Sequence, residues 1–349
     1  MQMPGKSIDI IERNVFVRDG YDDVPNELNG QTIDEIIDKA TELSMRYIEK
    51  ELCQDPTNYA HPRGRKIDTG NWGFQYLLSE VPRLKVWCAE NVMGSRIMTV
   101  YKPEAAILRD GQGLGFEGAR LLHKLQDGKA VRRRKEFGVQ YILENSKPGE
   151  RWLNAPSGNN LPLLEAAVQL PESKKPKLIT AVDYSFTDLR NAKKLAIGMG
   201  LEKIAREYRW RDLTDKRSFI KRQYLKKMLA PLVMKQRPII GDADLEVGKA
   251  DLVKVDGWFE YWLDDEKLAR HLGEYLKLVS SDGKLIFDDA RETHPQPHFL
   301  RTVLGWSPMA GRDLQRLHDK ILIPNRDAIG NVECYNIDEV FRVIIINKS

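Results

Sequence analysis

A strand-like segment that turns sharply and runs into an apolar helix is the first place where this chain could do chemistry. Residues 151–160 read RWLNAPSGNN, and LPLLEAAVQL follows at once. Strand, turn and helix in that order are where a parallel α/β protein holds an anionic or nucleotide-like ligand, because the helix N-terminus points its N–H groups at it. A dinucleotide turn carries three glycines; this one carries Pro156, Gly158, Asn159 and Asn160. Gly158 lets the backbone approach a ligand with no Cβ in the way, while Pro156 withholds one N–H. There is no lysine of the kind a P-loop requires. Downstream, ITAVDYS ends its apolar run on Asp183, a carboxylate able to accept two short hydrogen bonds from a vicinal diol.

Other residue patterns compete for attention. His294 and His298 lie in RETHPQPHFL, and either has the ordinary pKa of a general base. Their four-residue spacing suggests a metal pair, but Pro295 and Pro297 forbid the helix that would align them, and no third ligand is evident, so no metal is expected. GQGLGFEG (111–118) contains Gly113-x-Gly115-x-x-Gly118, yet no strand ending in an acid follows it. That string reads better as a lid or loop than as a phosphate cradle. Residues 216–237 hold eight basic residues and no acidic one; a helix with a solvated lysine face is preferred there to a lipid or nucleic-acid contact. Arg132, Arg133 and Arg134 can pair with a ligand carboxylate, though surface exposure is the commoner fate of such a triplet. Tyr59, Trp72, Phe74 and Tyr76 line either a pocket or a core.

The elements that must position these residues change character near residue 148. Before it the patterns are helical: TIDEIIDKATELSMRYIEKEL (32–52), with Thr32 as N-cap and Glu35 three residues on, and RRRKEFGVQYILENS (132–146), ending before Lys147-Pro148-Gly149. After it, β-branched runs alternate with helical ones, as in βαβ units. Strands are expected at 151–155, 178–183, 204–210, 251–256 and 284–288, with helices at 160–170, 186–199, 216–236 and 262–279. HDKILIPN and VFRVIIINK are expected to close the sheet as an antiparallel edge pair. The 349 residues suit two domains, with 1–148 a helical cap and 149–349 a Rossmann-like α/β domain. A net charge of +4, from 55 basic and 51 acidic residues, is too small to argue for nucleic acid. Three scattered cysteines fit a reducing compartment, and no apolar run reaches membrane length. A soluble cytoplasmic protein is expected, with no membrane span and with room for a homodimer.

From Glu150 onward the chain resembles class I S-adenosylmethionine-dependent methyltransferases, with seven strands, a closing hairpin and the cofactor on the first turn. The resemblance places Asn154 where the family has an acid, and Pro156, Gly158 and Asn160 on its glycines. It implies S-adenosylmethionine as cofactor, held by Asn154, Ala155, Pro156, Gly158 and Asn159. Asp183, with Tyr184 and Ser185, would take the ribose, and Asp212 with Leu213 the adenine. Asp256 and Gly257 would sit beside the reacting methyl. An Asn-rich turn without lysine suits a cationic sulfonium, and Trp258 and Tyr261 would offer it aromatic faces. The loop carrying His294 and His298 would lie over the substrate. The function implied is methyl transfer to an oxygen or nitrogen of a small metabolite, by in-line displacement aided by orientation and desolvation. Two alternatives stand beside it. One is consumption of the cofactor by its own amino group, giving azetidine-2-carboxylate and methylthioadenosine. The other is a non-catalytic cofactor-binding or interaction protein.

Overall fold

Hydropathy alone separates the central strands from the rest. LITAVD is buried at every position, as a parallel strand covered on both faces must be. In a computed structural model the described residues are 7–59, 68–89, 98–108, 110–183, 185–210, 249–257, 259–261, 264–305 and 311–349. The chain opens with β1 (Ile10–Asn14) and a two-residue ribbon, β2 (Glu27–Leu28) with β3 (Gln31–Thr32). Helices α1 (Ile33–Lys50), α2 (Trp72–Glu80), α3 (Leu84–Cys88), α4 (Gly115–Lys124) and α5 (Gln126–Asn145) follow. Thr32 caps α1 in a full capping box with Glu35, as its spacing predicts.

The α/β half comprises β4 (Arg151–Asn154), α6 (Leu161–Gln169), β5 (Leu178–Asp183), α7 (Phe186–Gly198), β6 (Ala205–Trp210), β7 (Ala250–Val255), α8 (Asp265–Leu278), β8 (Val279–Ala290), β9 (Ile329–Asn336) and β10 (Phe341–Lys348). These strands and β1 form one sheet in the order β1-β9-β10-β8-β7-β4-β5-β6. Only β10 runs against its neighbours. Chain order reverses at β4: β5 pairs on one side of it and β7 on the other. A crevice at the carboxyl ends of such strands is where open α/β sheets bind ligands. Helix α5 lies on the face carrying Trp152, Leu252 and Ile286, and its Phe137 and Ile142 join that core. Helix α8 covers the opposite face, with Leu153, Val253 and Phe287.

Two expectations are corrected. HDKILIPN is not a strand: residues 318–328 form short helical turns. Leu317, Ile321 and Leu322 recur at helical spacing, and all three are buried in the core beneath α8. The penultimate strand is instead β9, in the polar stretch around Gly330, and the sheet edge belongs to β1. β1 pairs in parallel with β9, and Ile8 enters the sheet core, so the first residues of the expected cap belong to the sheet. The basic stretch 216–237 lies outside the described residues.

A buried ion cluster ties the end of β8 to its surroundings. Arg312, wholly buried, donates to Asp289 Oδ1 at 2.8 Å and to Asp265 Oδ1 at 3.0 Å. Arg342 of β10 in turn donates to the Arg312 carbonyl and to Glu292. Removing one partner of a buried pair strands the other charge. Arg312→Ala is therefore expected to cost about 3–5 kcal/mol, read as a lower denaturant midpoint at unchanged slope.

Candidate functional site at the carboxyl edge of the sheet

The turn after β4 is held from three sides. Ser157 N–H donates to the Val182 carbonyl at 2.8 Å, tying the turn to β5. Asp183, only 3% exposed, accepts from Gly158 N–H at 2.7 Å and from Ser185 N–H at 2.8 Å. The Asn154 amide donates to Asn160 Oδ1 at 3.0 Å and approaches Asp256 Oδ2 at 3.4 Å. Gly158 (φ +47°) and Asn160 (φ +58°) adopt the left-handed conformation, which a glycine or an asparagine accepts at least cost. A Cβ on Gly158 would meet nothing within 4 Å, so the backbone there faces open space. The Ala155–Pro156 peptide is cis. Asn159 Oδ1 accepts from Leu161 N–H at 3.1 Å, satisfying one donor of the first turn of α6.

The register of β4, β7 and β8 aligns Asn154 with Lys254 and Ile286. With the two-residue repeat of a strand, Asp256 and Asp288 come out on that same face, toward α5. There Lys254 pairs with Asp256. Arg134 of α5 reaches down to Glu260 Oε1 at 3.0 Å and Asp288 Oδ2 at 3.3 Å, its guanidinium 4.4 Å over the Phe341 ring. Arg134, Lys254, Glu260 and Asp288 are all buried. Burial pushes the Glu260 carboxyl up to about 7 against the pull of Arg134. Asp288 rises for the same reason, with Arg134 and Lys254 opposing. Burial works against the Lys254 charge, but Asp256 and Asp288 hold its pKa above the ordinary lysine value. Gly257 (φ +62°) turns the chain between β7 and Glu260, and a Cβ there would come within 3.5 Å of Arg134 Nη2.

Both histidines are engaged by hydrogen bonds within the chain. His294 Nδ1 accepts from Gln296 N–H at 3.0 Å, so the ring proton sits on Nε2, which faces Asp127 Oδ1 at 3.1 Å. Both side chains are buried, and the pair fastens the loop after β8 to the first turn of α5. Asp127 precedes Arg134 by seven residues, roughly 10 Å of helix. His298 Nδ1 takes the Arg301 guanidinium at 2.7 Å, and burial together with that charge holds its pKa below the usual value. Arg132 and Arg133 pair within the chain, with Asp19 at 2.6 Å and Asp22 at 3.0 Å. Phe74 is core, and Tyr76 hydrogen-bonds Gln31. The glycine string is pinned, since Arg83 donates to the Gly113 carbonyl and pairs with Asp110, and Gly115 begins α4. Tyr184, Asp212, Leu213 and Trp258 lie outside the described residues, as does the Tyr261 side chain.

Sequence reasoning missed Lys254, Glu260 and Asp288. A lysine inside the apolar strand LVKVD and the paired acids ending LIFDD were the available signals. A cavity of about 270 Å³, lined by Tyr141, Lys147, Glu150, Asp251, Asp282 and Lys284, opens at the opposite, amino edge of the sheet. Among the described residues no three His, Cys, Asp or Glu gather to hold a metal, and no helix is long and apolar enough to cross a membrane.

No protein-family model and no curated protein sequence matches the chain. Solved structures do resemble it. A protein of Bordetella parapertussis described as a possible exported protein is 13% identical, with 91% of this chain and 97% of that one covered at a TM-score of 0.57. The CurJ carbon methyltransferase is 13% identical, covering 90% and 93% at 0.45. Magnesium protoporphyrin IX methyltransferase of Synechocystis, solved with bound S-adenosylmethionine, is 12% identical, covering 64% and 85% at 0.40. The first of these likenesses shows a shared fold and nothing more. The architecture is a Rossmann-like α/β sheet: five parallel strands, β4 to β8, a closing antiparallel hairpin of β9 and β10, and a tight turn after β4.

Gly138 of α5 makes the space that Lys254 fills, since a Cβ there would lie 3.5 Å from Lys254 Nζ and Cε. That is ordinary contact, so Gly138→Ala should be neutral or gain up to about 1 kcal/mol of helix stability. Gly138→Leu should cost about 1–3 kcal/mol by overpacking. Urea titration of both variants checks the contrast.

Proposed function

We propose that the chain is an S-adenosylmethionine-dependent transferase that methylates an oxygen or nitrogen of a small metabolite. The observation that carries this reading is Asp183, which locks the turn of Gly158 at the switch point of the sheet. The residues present fit the cofactor. Asp183 is a carboxylate at the end of a parallel strand, the kind of group that accepts hydrogen bonds from a ribose diol. Asn154 Oδ1, buried and without a hydrogen-bond partner among the described residues, sits where an ammonium or a water would satisfy it. Asn154 to Asn159 would cradle the amino-acid tail, Asp183 and Ser185 the sugar, and Asp256 with Gly257 the far end. S-adenosylmethionine supplies an electrophilic methyl on a sulfonium sulfur. The protein's own part is to orient both reactants and exclude water beneath α5. In this reading most of residues 1–148 act as a helical cap on the domain 149–349.

A second reading is favoured by the way α5 seals the ends of β7 and β8, with Arg134 only 8% exposed. So closed an edge suits a small acceptor, and it suits the cofactor acting on itself. Mass spectrometry of a cofactor-only incubation separates the two: methylthioadenosine with a cyclic amino acid means self-consumption, and turnover only on adding an acceptor means methyl transfer.

Asp183→Ala removes a charged acceptor and unpins the turn, and Gly158→Val strains the left-handed backbone. Charge-assisted hydrogen bonds contribute about 1.5–3 kcal/mol each. Each variant is therefore expected to weaken S-adenosylhomocysteine binding at least ~10-fold in calorimetric titration. Unchanged affinity would refute the placement.

A further inference from the structure

Counted fully ionised, the ion cluster under α5 does not balance among the described residues. There two cations, Arg134 and Lys254, face three carboxylates, Asp256, Glu260 and Asp288. The neighbouring Lys135 is already engaged by Glu165 at 2.7 Å and Glu136 at 2.6 Å. Glu260 Oε2 and both Asp288 oxygens are buried without a hydrogen bond of good geometry, each residue being 1% exposed. Independently, Asn154 Oδ1 is a wholly buried acceptor with no partner among the described residues, on an amide that touches Asp256. Unsatisfied buried acceptors are costly: Glu260 Oε2 and Asn154 Oδ1, without a partner among the described residues, and Asp288, with its Arg134 contact at 3.3 Å, describe a place for a donor that carries positive charge. Nothing apolar or anionic would satisfy it.

Taken with the cofactor reading above, we propose that Glu260 and Asp288 form a receiving site for a ligand ammonium. The reacting nucleophile is then a primary or secondary amine. In the proton step the ammonium N–H bond breaks, the proton passes to an Asp288 or Glu260 oxygen, and the nitrogen keeps the electron pair as a neutral nucleophile. Whether that nitrogen belongs to a separate acceptor or to the cofactor's own tail, the proton has the same destination. Arg134 from α5, Lys254 and Asp256 from β7 and its extension, and Tyr101 from the cap all face the acid pair. The cations favour the ionised form of the pair, while burial favours a bound proton, which an arriving cation would replace.

The sign of the proton linkage follows. A carboxyl raised to about 7 holds a proton below that pH and is ionised above it. An arriving ammonium must expel that proton, so its binding releases up to about one proton near pH 6 and almost none above about pH 8.5.

The test is calorimetric titration of n-butylamine, entering as butylammonium, and of n-butanol. Both are run at the two pH values, in buffers of different ionisation heat, with and without saturating S-adenosylhomocysteine. The expected result is amine binding with proton release at the lower pH, no release with the alcohol, and loss of release in Glu260→Gln and Asp288→Asn. S-adenosylhomocysteine affinity in both variants stays within about threefold of wild type, an energy difference near 0.65 kcal/mol, where the nitrogen belongs to a separate acceptor, and falls further where it is the cofactor's own tail. Failure of wild type to bind butylamine, or equal behaviour of amine and alcohol, overturns the proposal, and these arms stand even if a variant fails to fold. Loss of S-adenosylhomocysteine binding in wild type would instead sink the cofactor reading, while the amine titration without it still decides this one.

Discussion

Asp183 holds the first βα turn by two backbone N–H groups, and the carboxyl edge of the sheet is arranged around that lock. A parallel sheet exposes strand ends to a ligand only where its order reverses, here at β4. The turn at that point has a proline in place of a donor, so it cannot rely on a full set of backbone N–H groups. Asp183 fixes the loop from one side, and the Asn154–Asn160 side-chain bond fixes it from the other. Gly158 and Asn160 take the left-handed angles that let so short a loop reach the helix.

The second organising constraint is the cost of buried charge. Arg134 and Lys254 are buried beneath a helix of the N-terminal half and must be met by carboxylates from the sheet. This binds α5 to β7 and β8 chemically as well as by packing, with Gly138 making room for the lysine. Similar pairs, Arg132 with Asp19 and His294 with Asp127, fasten the upper end of α5 to the chain before α1 and to the loop after β8. Among the described residues the cluster at Arg134 differs from these pairs in setting three carboxylates against two cations.

Most of the sheet was legible because its strands are apolar on both faces, as in LITAVD, a pattern that few other arrangements satisfy. The capping box of α1 was legible for a local reason, the three-residue spacing of Thr32 and Glu35. HDKILIPN misled because a short apolar run has no period of its own; helical packing beneath α8 decided it, and that contact is long-range. β9 was hidden by its alternation of buried and exposed residues around Gly330, and β1 by its exposed edge. In the site, Asp183 and Gly158 could be read from position along a strand and turn. Glu260 and Asp288 could not, because what marks them is burial against Arg134, a partner more than a hundred residues away. The histidines attracted attention by residue type, yet the hydrogen bonds that occupy them come from Asp127 and Arg301.

The most direct measurement is a crystal structure of the protein soaked with S-adenosylhomocysteine. The sugar hydroxyls should lie within hydrogen-bonding distance of both Asp183 oxygens, with the amino-acid tail running along the 154–159 turn toward Asp256. A nucleoside found in the cavity beside Lys284 at the other edge, or none bound at saturating concentration, would contradict the assignment.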